Sequence, residues 1–160
     1  MPTGIPLRLE QSLALAKGLF DDEEARRKEL DGRANAVLSL SALYAGFVVF
    51  VLKDHPVTGG PAFYPVAGGI LLLGLSLAAA TWTSAVRTFE APFNVDDLVT
   101  DYDNKALTLP QLLQQRMADY LTAAKRNAAI CERKARWLAA AYVCLLIGIM
   151  LHALSMLLLL

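Results

Sequence analysis

The chain has few of the side chains on which enzymes most often rely. Its 160 residues include two histidines, His55 and His152, and two cysteines, Cys131 and Cys144. A hydrolytic nucleophile needs a base beside it, and this scarcity of histidine argues against such chemistry. The sequence contains no C-x-x-C, H-E-x-x-H or G-x-S-x-G motif and no Gly-rich phosphate loop. We therefore expect no enzymatic activity, no cofactor, and no catalytic or metal-binding residues.

Charged residues are missing from three long segments, residues 34–52, 62–86 and 137–160. Each segment is close to the roughly 20 apolar residues that a bilayer-spanning helix needs. A soluble chain of this size would have to bury three helices that are apolar on every side, which its surface-to-volume ratio opposes. The formal net charge of zero also gives no reason to expect nucleic-acid binding. The sequence therefore predicts an all-α membrane protein with three transmembrane helices.

Lysine and arginine are unevenly distributed around these segments. Six precede the first segment, one lies between the first and second, eight lie between the second and third, and none follows the third. By the positive-inside rule, the N-terminus and residues 87–136 lie in the cytoplasm, while the 53–61 connection and the C-terminus lie outside. The Pro/Gly-containing connection joins the first two spans into a transmembrane hairpin, residues 34–86.

The predicted cytoplasmic parts have helical patterns at 1–33 and 108–136. The first ends in interleaved acids and bases at spacings of three and four, which is typical of a solvated, ion-paired helix. The second begins with Thr108 as an expected N-cap and Gln111 as its capping-box partner. Its apolar stripe comprises Leu109, Leu113, Met117, Tyr120, Ala124, Ala128, Cys131 and Ala135. No proline separates either helix from the following span, so each is expected to continue into it and to pack on the other or on further copies.

The segment between them, residues 87–107, is acidic. Asp96, Asp97, Asp101 and Asp103 are candidates for a cation site, but the glycine and terminal glutamate of a calcium loop are missing. We interpret this segment as a solvated loop.

Several residues of the predicted spans are candidates for the membrane response. His152 is an ionisable group within a span, and it serves either a proton or gating role or stays neutral and hydrogen-bonded. Asn35 and Ser39 share a face with Ala42 and Gly46, and the second span carries a similar set. Such faces either let helices pack closely or line a wet channel. The second set is Gly68, Ser76, Ala80 and Ser84, with Gly69 beside them.

A basic group marks the predicted cytoplasmic surface of the membrane. Arg87, Arg133, Lys134 and Arg136 lie where anionic lipid headgroups attract cations, so we expect them to contact headgroups. Trp82 and Trp137 flank this group at the depth of an aromatic belt.

Three stretches resemble a known class of protein. They are "RRKELDGRANAVLSL" entering the first span, "SAVRTFEAP" closing the second, and "YLTAAKRNAAICERKARWLAAAYVCLL" entering the third. Over roughly residues 24–150 the chain resembles small bacterial transmembrane effectors of anti-phage signalling, of the SLATT and Pycsar types. The resemblance implies a multi-pass protein of the bacterial inner membrane, encoded beside a nucleotide cyclase or sensor. It also implies that the protein oligomerises on infection and damages or permeabilises the membrane.

Our leading hypothesis is a homo-oligomeric inner-membrane effector of anti-phage defence. Its cytoplasmic helices assemble or receive a signal, and its spans form a pore or perturb the bilayer. We assign assembly or signal reception to Tyr120, Arg126, Glu132 and Arg133, and the membrane response to Asn35, Ser39 and His152. The expected partners are membrane lipids, other copies of the chain, and a soluble sensor or nucleotide-signalling protein. The alternative is a passive membrane anchor or adaptor for a soluble partner protein.

Overall fold

The computed structural model describes residues 7–54, 59–85, 89–92 and 108–159. Within these ranges the chain forms three helices and no strand: α1 spans Leu7–Asp54, α2 spans Phe63–Ala85 and α3 spans Leu109–Leu159. Each helix is long and apolar enough to cross a membrane. The predictions of an all-α protein and of three candidate spans are confirmed.

The first and third helices continue without a break from a charged half into an apolar half. They contain 48 and 51 residues, so the predicted continuity of each charged helix with the apolar segment that follows it is confirmed. At the start of α3, the Thr108 backbone N–H donates to Gln111 Oε1 at 3.0 Å. This is one of the two hydrogen bonds that make up the predicted capping box. Pro110 lies in the first turn, where a missing N–H costs no intrahelical hydrogen bond.

A tight turn precedes α2. Gly60 adopts a φ of 85°, a left-handed conformation that side chains with a Cβ rarely take. Its carbonyl accepts a hydrogen bond from the Phe63 N–H at 3.2 Å, which fixes the entry into the helix. The glycine pair of the predicted connection thus supplies the turn.

The chain divides into two compact units. The polar unit consists of Met1–Lys28 with Thr88–Glu132, and the apolar unit consists of Glu29–Arg87 with Arg133–Leu160. Helices α1 and α3 contribute residues to both units, whereas α2 belongs to the apolar unit alone.

The buried side of α3 in the polar unit differs in part from the predicted stripe. Ala124 and Cys131 are buried as expected, but Leu109 is 51% exposed. Arg116 and Asn127 are buried in its place. Hydrophobic spacing misses these positions because polar side chains are buried only when partner groups reach them. Asp119, three residues along α3, pairs with Arg116, whereas the partner of Asn127 is Glu90, 37 residues away.

The apolar unit is packed through small residues. Its buried positions on α2 include Ser76 and Ala80 of the predicted small-residue face and Gly69 beside that face. Small residues at such positions allow helices to approach closely. Ser76 Oγ donates to the carbonyl of Ala141 on α3 at 2.8 Å, so this contact is both close and hydrogen-bonded. Other buried residues of this unit include Ala34, Val37, Ser41, Val48, Leu73, Leu138 and Leu145.

Candidate functional site

An aromatic cluster joins three segments of the polar unit. The ring of Phe20 on α1 lies 5.8 Å from that of Phe89 and 5.9 Å from that of Tyr120 on α3, measured between centroids. The guanidinium carbon of Arg27 lies 4.7 Å from the Phe89 centroid, at the distance of a cation–π contact. Tyr120, assigned to assembly or signal reception, therefore lies in an aromatic cluster within its own unit.

Glu90 is bound through both its backbone and its side chain. The Asn127 side chain accepts from the Glu90 N–H at 3.0 Å and donates to the Glu90 carbonyl at 2.9 Å. The Glu90 carboxylate pairs with Arg126 at 2.8 Å. Because Asn127 is fully buried, this amide satisfies the backbone of the 89–92 segment much as a neighbouring strand would. We name the set Glu90, Arg126 and Asn127 the Glu90 clamp.

Sequence reasoning selected only one member of the Glu90 clamp. Arg126 was assigned to assembly or signal reception, and the structure pairs it with Glu90. Neither Glu90 nor Asn127 was selected. The signal that could have found Asn127 is its position between Ala124 and Cys131, at helical spacing within the apolar stripe.

Two ion pairs of the polar unit, Glu24–Lys28 and Glu90–Arg126, shift the pKa of one of their members. The hydrogen bond and the charge of Lys28 hold the pKa of the Glu24 carboxyl below its ordinary value of 4.5. The hydrogen bond and the charge of Glu90 raise the pKa of Arg126. The lowered pKa of Glu24 and the raised pKa of Arg126 both favour the charged form of these two groups. The Glu24 pair, together with Glu23–Arg26, confirms the predicted ion pairing along α1.

Lys134 is placed differently from the arginines beside it. Its side chain is 1% exposed, and its Nζ lies 2.6 Å from Asp31 Oδ1 within the apolar unit. An ammonium group is buried only with a partner, and Asp31 supplies it. Lys134 is thus engaged inside the unit, whereas headgroup contact was expected for it.

Of the other members of the basic group, the structure describes Arg133 and Arg136 but not Arg87. Arg133 and Arg136 are exposed, and neither forms an ion pair with any residue that the structure describes. Glu132 is exposed as well. Arg87 lies outside the described residues.

His152 is a buried polar residue of the apolar unit. Its side chain is 6% exposed and packs where Gly69 has no side chain: a Cβ added to Gly69 would lie 2.5 Å from the imidazole ring. The ring of Tyr44 lies 5.6 Å away, edge-on. Neither ring nitrogen has a hydrogen-bond partner among the described residues. His152 also lines an apolar cavity of about 190 Å³ with Tyr44, Phe47, Val48, Val51, Val66 and Met156.

Asn35 and Ser39, the other candidates for the membrane response, are both exposed. Ala42 and Gly46, on the same face of α1, are exposed too, so nothing in the described part of the chain covers this face. The structure therefore does not bring Asn35 and Ser39 together with the buried His152.

No cluster of metal-ligating side chains occurs within the described ranges: no three His, Cys, Asp or Glu residues come together there. The four aspartates proposed as a candidate cation site, Asp96, Asp97, Asp101 and Asp103, lie outside those ranges.

Comparison with known protein families decides the relationship. Residues 22–160 match the family described as the Pycsar effector protein domain, PycTM. The chain belongs to this family. The match extends over most of the chain, and it agrees with the Pycsar-type resemblance of the three stretches noted above. No curated protein and no solved structure matches the chain. PycTM membership and three membrane-length helices together describe a multi-pass transmembrane effector.

Proposed function

We propose that the protein is a homo-oligomeric effector of Pycsar anti-phage defence that permeabilises or perturbs the bacterial inner membrane. Its N-terminus lies in the cytoplasm and its C-terminus outside. It acts through assembly and membrane disturbance, without catalysing a reaction. PycTM membership and the three candidate spans support the effector class, and the uneven distribution of lysine and arginine supports the orientation.

The observation that carries the proposal is the uncovered polar face of α1. Asn35 and Ser39 lie with Ala42 and Gly46 on a face that no described residue covers, although it lies on a helix apolar enough to span a membrane. A polar side chain left in hydrocarbon without a hydrogen-bond partner is costly, so this face favours contact with a second copy or with water. Contact with a second copy gives an assembly directly, and a water-filled channel lined by this face also needs several copies.

The polar unit is proposed to assemble or to receive the signal. Glu132 and Arg133 are exposed, and the Arg126–Glu90 pair is open to solvent on both sides, with side-chain exposures of 63% and 48%. A partner that competes for Arg126 or Glu90 would alter the Glu90 clamp. Since α3 is helical without interruption from 109 to 159, a change at the clamp acts on the same helix that carries His152.

The test uses bacteria that express the full-length chain under an inducible promoter, with and without its genomic neighbours. Membrane potential and entry of a membrane-impermeant dye are recorded after induction or phage infection. Asn35→Leu and Ser39→Leu together are expected to abolish depolarisation. Ala36→Leu, which adds a leucine at an exposed position beside this face, is the matched control and is expected to retain it. Depolarisation by the double leucine variant at the level of the control contradicts the proposal.

The adaptor alternative has an observation in its favour. The polar unit exposes Leu15, Leu19 and Leu121 at 71%, 53% and 41%. Exposed leucines of this kind fit a soluble partner as well as a second copy. An adaptor predicts healthy cells after induction, and loss of a co-purifying partner when Arg126 and Arg133 are both changed to glutamate. Depolarisation of cells that express the chain with no partner excludes the adaptor.

A further inference from the structure

A cleft on the apolar unit combines aromatic and cationic side chains. Trp82 of α2 and Arg133, Arg136 and Trp137 of α3 line a space of about 590 Å³. The two indole rings lie 6.4 Å apart, centroid to centroid, and are tilted against each other. We call this the tryptophan–arginine cleft.

The donors of this cleft are unused. Neither guanidinium forms an ion pair with a described residue, and neither indole N–H has a hydrogen bond within the described part of the chain. Lys134, on the same turn, shows the contrast, because its ammonium group is buried against Asp31. The chain thus neutralises the one buried cation of this turn and leaves the two exposed ones available for an external anion.

The cleft also lies at the end of an apolar segment. Trp137 begins the run from 137 to 160, which has no Asp, Glu, Lys or Arg, and Trp82 lies in the last turn of α2, which ends at Ala85. Tryptophan is favoured at the depth where lipid headgroups meet acyl chains, and arginine binds phosphate with two parallel hydrogen bonds. Both residue types therefore point to the same ligand chemistry.

We propose that the tryptophan–arginine cleft binds the headgroup of an anionic phospholipid. Arg133 and Arg136 donate to the phosphodiester oxygens, and the indoles of Trp82 and Trp137 pack against the glycerol and the upper acyl chains. A lipid fits better than a soluble anion because the two indoles are 57% and 44% exposed and would gain nothing from a ligand without an apolar part.

This inference rests on the proposed function only in requiring that the helices span a bilayer. It does not require a pore or an oligomer. Lipid preference is measured at equilibrium and without a permeability readout, so its failure is distinguishable from failure of the proposed effector activity.

The chain provides its own probe, because Trp82 and Trp137 are its two tryptophans. Full-length protein is reconstituted into phosphatidylcholine vesicles that contain either brominated phosphatidylglycerol or brominated phosphatidylcholine at equal mole fraction. Tryptophan quenching then gives the relative association constant at the cleft. We expect a preference for phosphatidylglycerol of about fivefold or more, as expected for arginine at an anionic surface.

The preference should fall to about unity in the Arg133→Gln/Arg136→Gln variant, since the headgroup then meets no cation in the cleft. The matched control is Lys17→Gln/Lys125→Gln, which removes the same charge from exposed positions of the polar unit and should keep the full preference. An equal loss of the phosphatidylglycerol preference in both variants would mean that overall surface charge, and not the cleft, attracts the lipid, and this result overturns the proposal. Equal quenching by the two brominated lipids in the wild-type protein overturns it without reference to any variant.

Discussion

The polar unit and the apolar unit are both helical, yet different contacts hold them together. In the polar unit the contacts are specific and partly exposed: ion pairs along α1, a cation–π contact at Phe89, and the Glu90 clamp. In the apolar unit they are close approaches of small residues, with Gly69 receiving His152 and Ser76 bonding to Ala141, and one ion pair whose lysine is buried, Lys134–Asp31. In water the hydrophobic effect holds apolar faces together, whereas in lipid close packing and hydrogen bonds replace it.

This difference predicts how the stability of each unit responds to substitutions. Exposed polar contacts can be made and broken at small cost. Close packing has discrete arrangements and tolerates little added volume. We therefore expect mild effects from most substitutions in the polar unit and severe effects from substitutions that add volume to the apolar one.

The largest effect is expected from Gly69→Leu. The new Cβ alone would lie 2.5 Å from the His152 ring, so the buried imidazole would have to leave its place against Gly69 or α2 and α3 would have to separate. Overpacking of this kind costs about 3 kcal/mol or more. Thermal unfolding in detergent, followed by circular dichroism, measures it. Gly74→Leu on the same helix is the matched control, because nothing lies within 4 Å of its added Cβ. Similar unfolding temperatures for the two variants would show that the apolar unit is not closely packed at Gly69.

A smaller effect is expected from Asp31→Asn, which leaves the buried Lys134 ammonium without its carboxylate. Breaking such a pair costs about 2 kcal/mol here, below the full value for buried pairs because Asp31 is 35% exposed. Lys134→Met, which removes the buried charge at similar volume, should cost less. Urea-dependent unfolding in detergent measures both.

The control for Asp31→Asn is Glu29→Gln, since the Glu29–Arg33 pair is exposed on both sides and should contribute about 0.5 kcal/mol or less. If Asp31→Asn is no more destabilising than Glu29→Gln, the burial of Lys134 has no energetic consequence and the account of this turn is wrong.

In the polar unit, Asn127→Ala removes two hydrogen bonds to the Glu90 backbone. We expect a loss of about 1 to 2 kcal/mol, because the Glu90 N–H and carbonyl lose their partners. Hydrogen exchange of the Glu90 amide reports the loss directly. Gln114→Ala, at an exposed position on the same helix, should leave that amide unchanged. Unaltered exchange at Glu90 in Asn127→Ala would mean that the clamp does not hold the segment.

The smallest expected effect is the loss of stability of α1 at acidic pH. The pKa of Glu24 is lowered in the folded chain, so its contribution to stability is present above the ordinary value of 4.5 and is lost as the pH falls through the lower folded value. The protection of the α1 amides, measured relative to their intrinsic exchange rates at each pH, should therefore fall below pH 4.5 in the wild-type protein, and less so in Glu24→Gln. The test fails if both proteins respond equally to acid.

Much of the fold followed from the sequence because the relevant signals are local. Runs without charge predict the three spans, and Thr108 with Gln111 predicts the start of α3, since each depends on residues a few positions apart. The ion pairs of α1 are local in the same way.

The contacts that the sequence did not reveal join distant positions. Asn127 bonds to Glu90 across 37 residues, and Lys134 pairs with Asp31 across 103. A hydrophobic stripe records which positions are apolar, but it cannot show that a buried lysine or asparagine will find a partner elsewhere. The docking of His152 against Gly69 is non-local for the same reason. The sequence shows that Asn35 and Ser39 share a helix face, but it does not show that no described residue covers that face.

The mass of the protein extracted with its native lipids in polymer nanodiscs tests the central claim most directly. The account predicts one defined assembly whose protein mass is a whole multiple of the 17.4 kDa chain, with a multiple greater than one. Asn35→Leu with Ser39→Leu should shift the distribution toward the single chain. A wild-type protein that is present only as the 17.4 kDa monomer, in extracts of phage-infected cells as well as uninfected ones, would contradict the account.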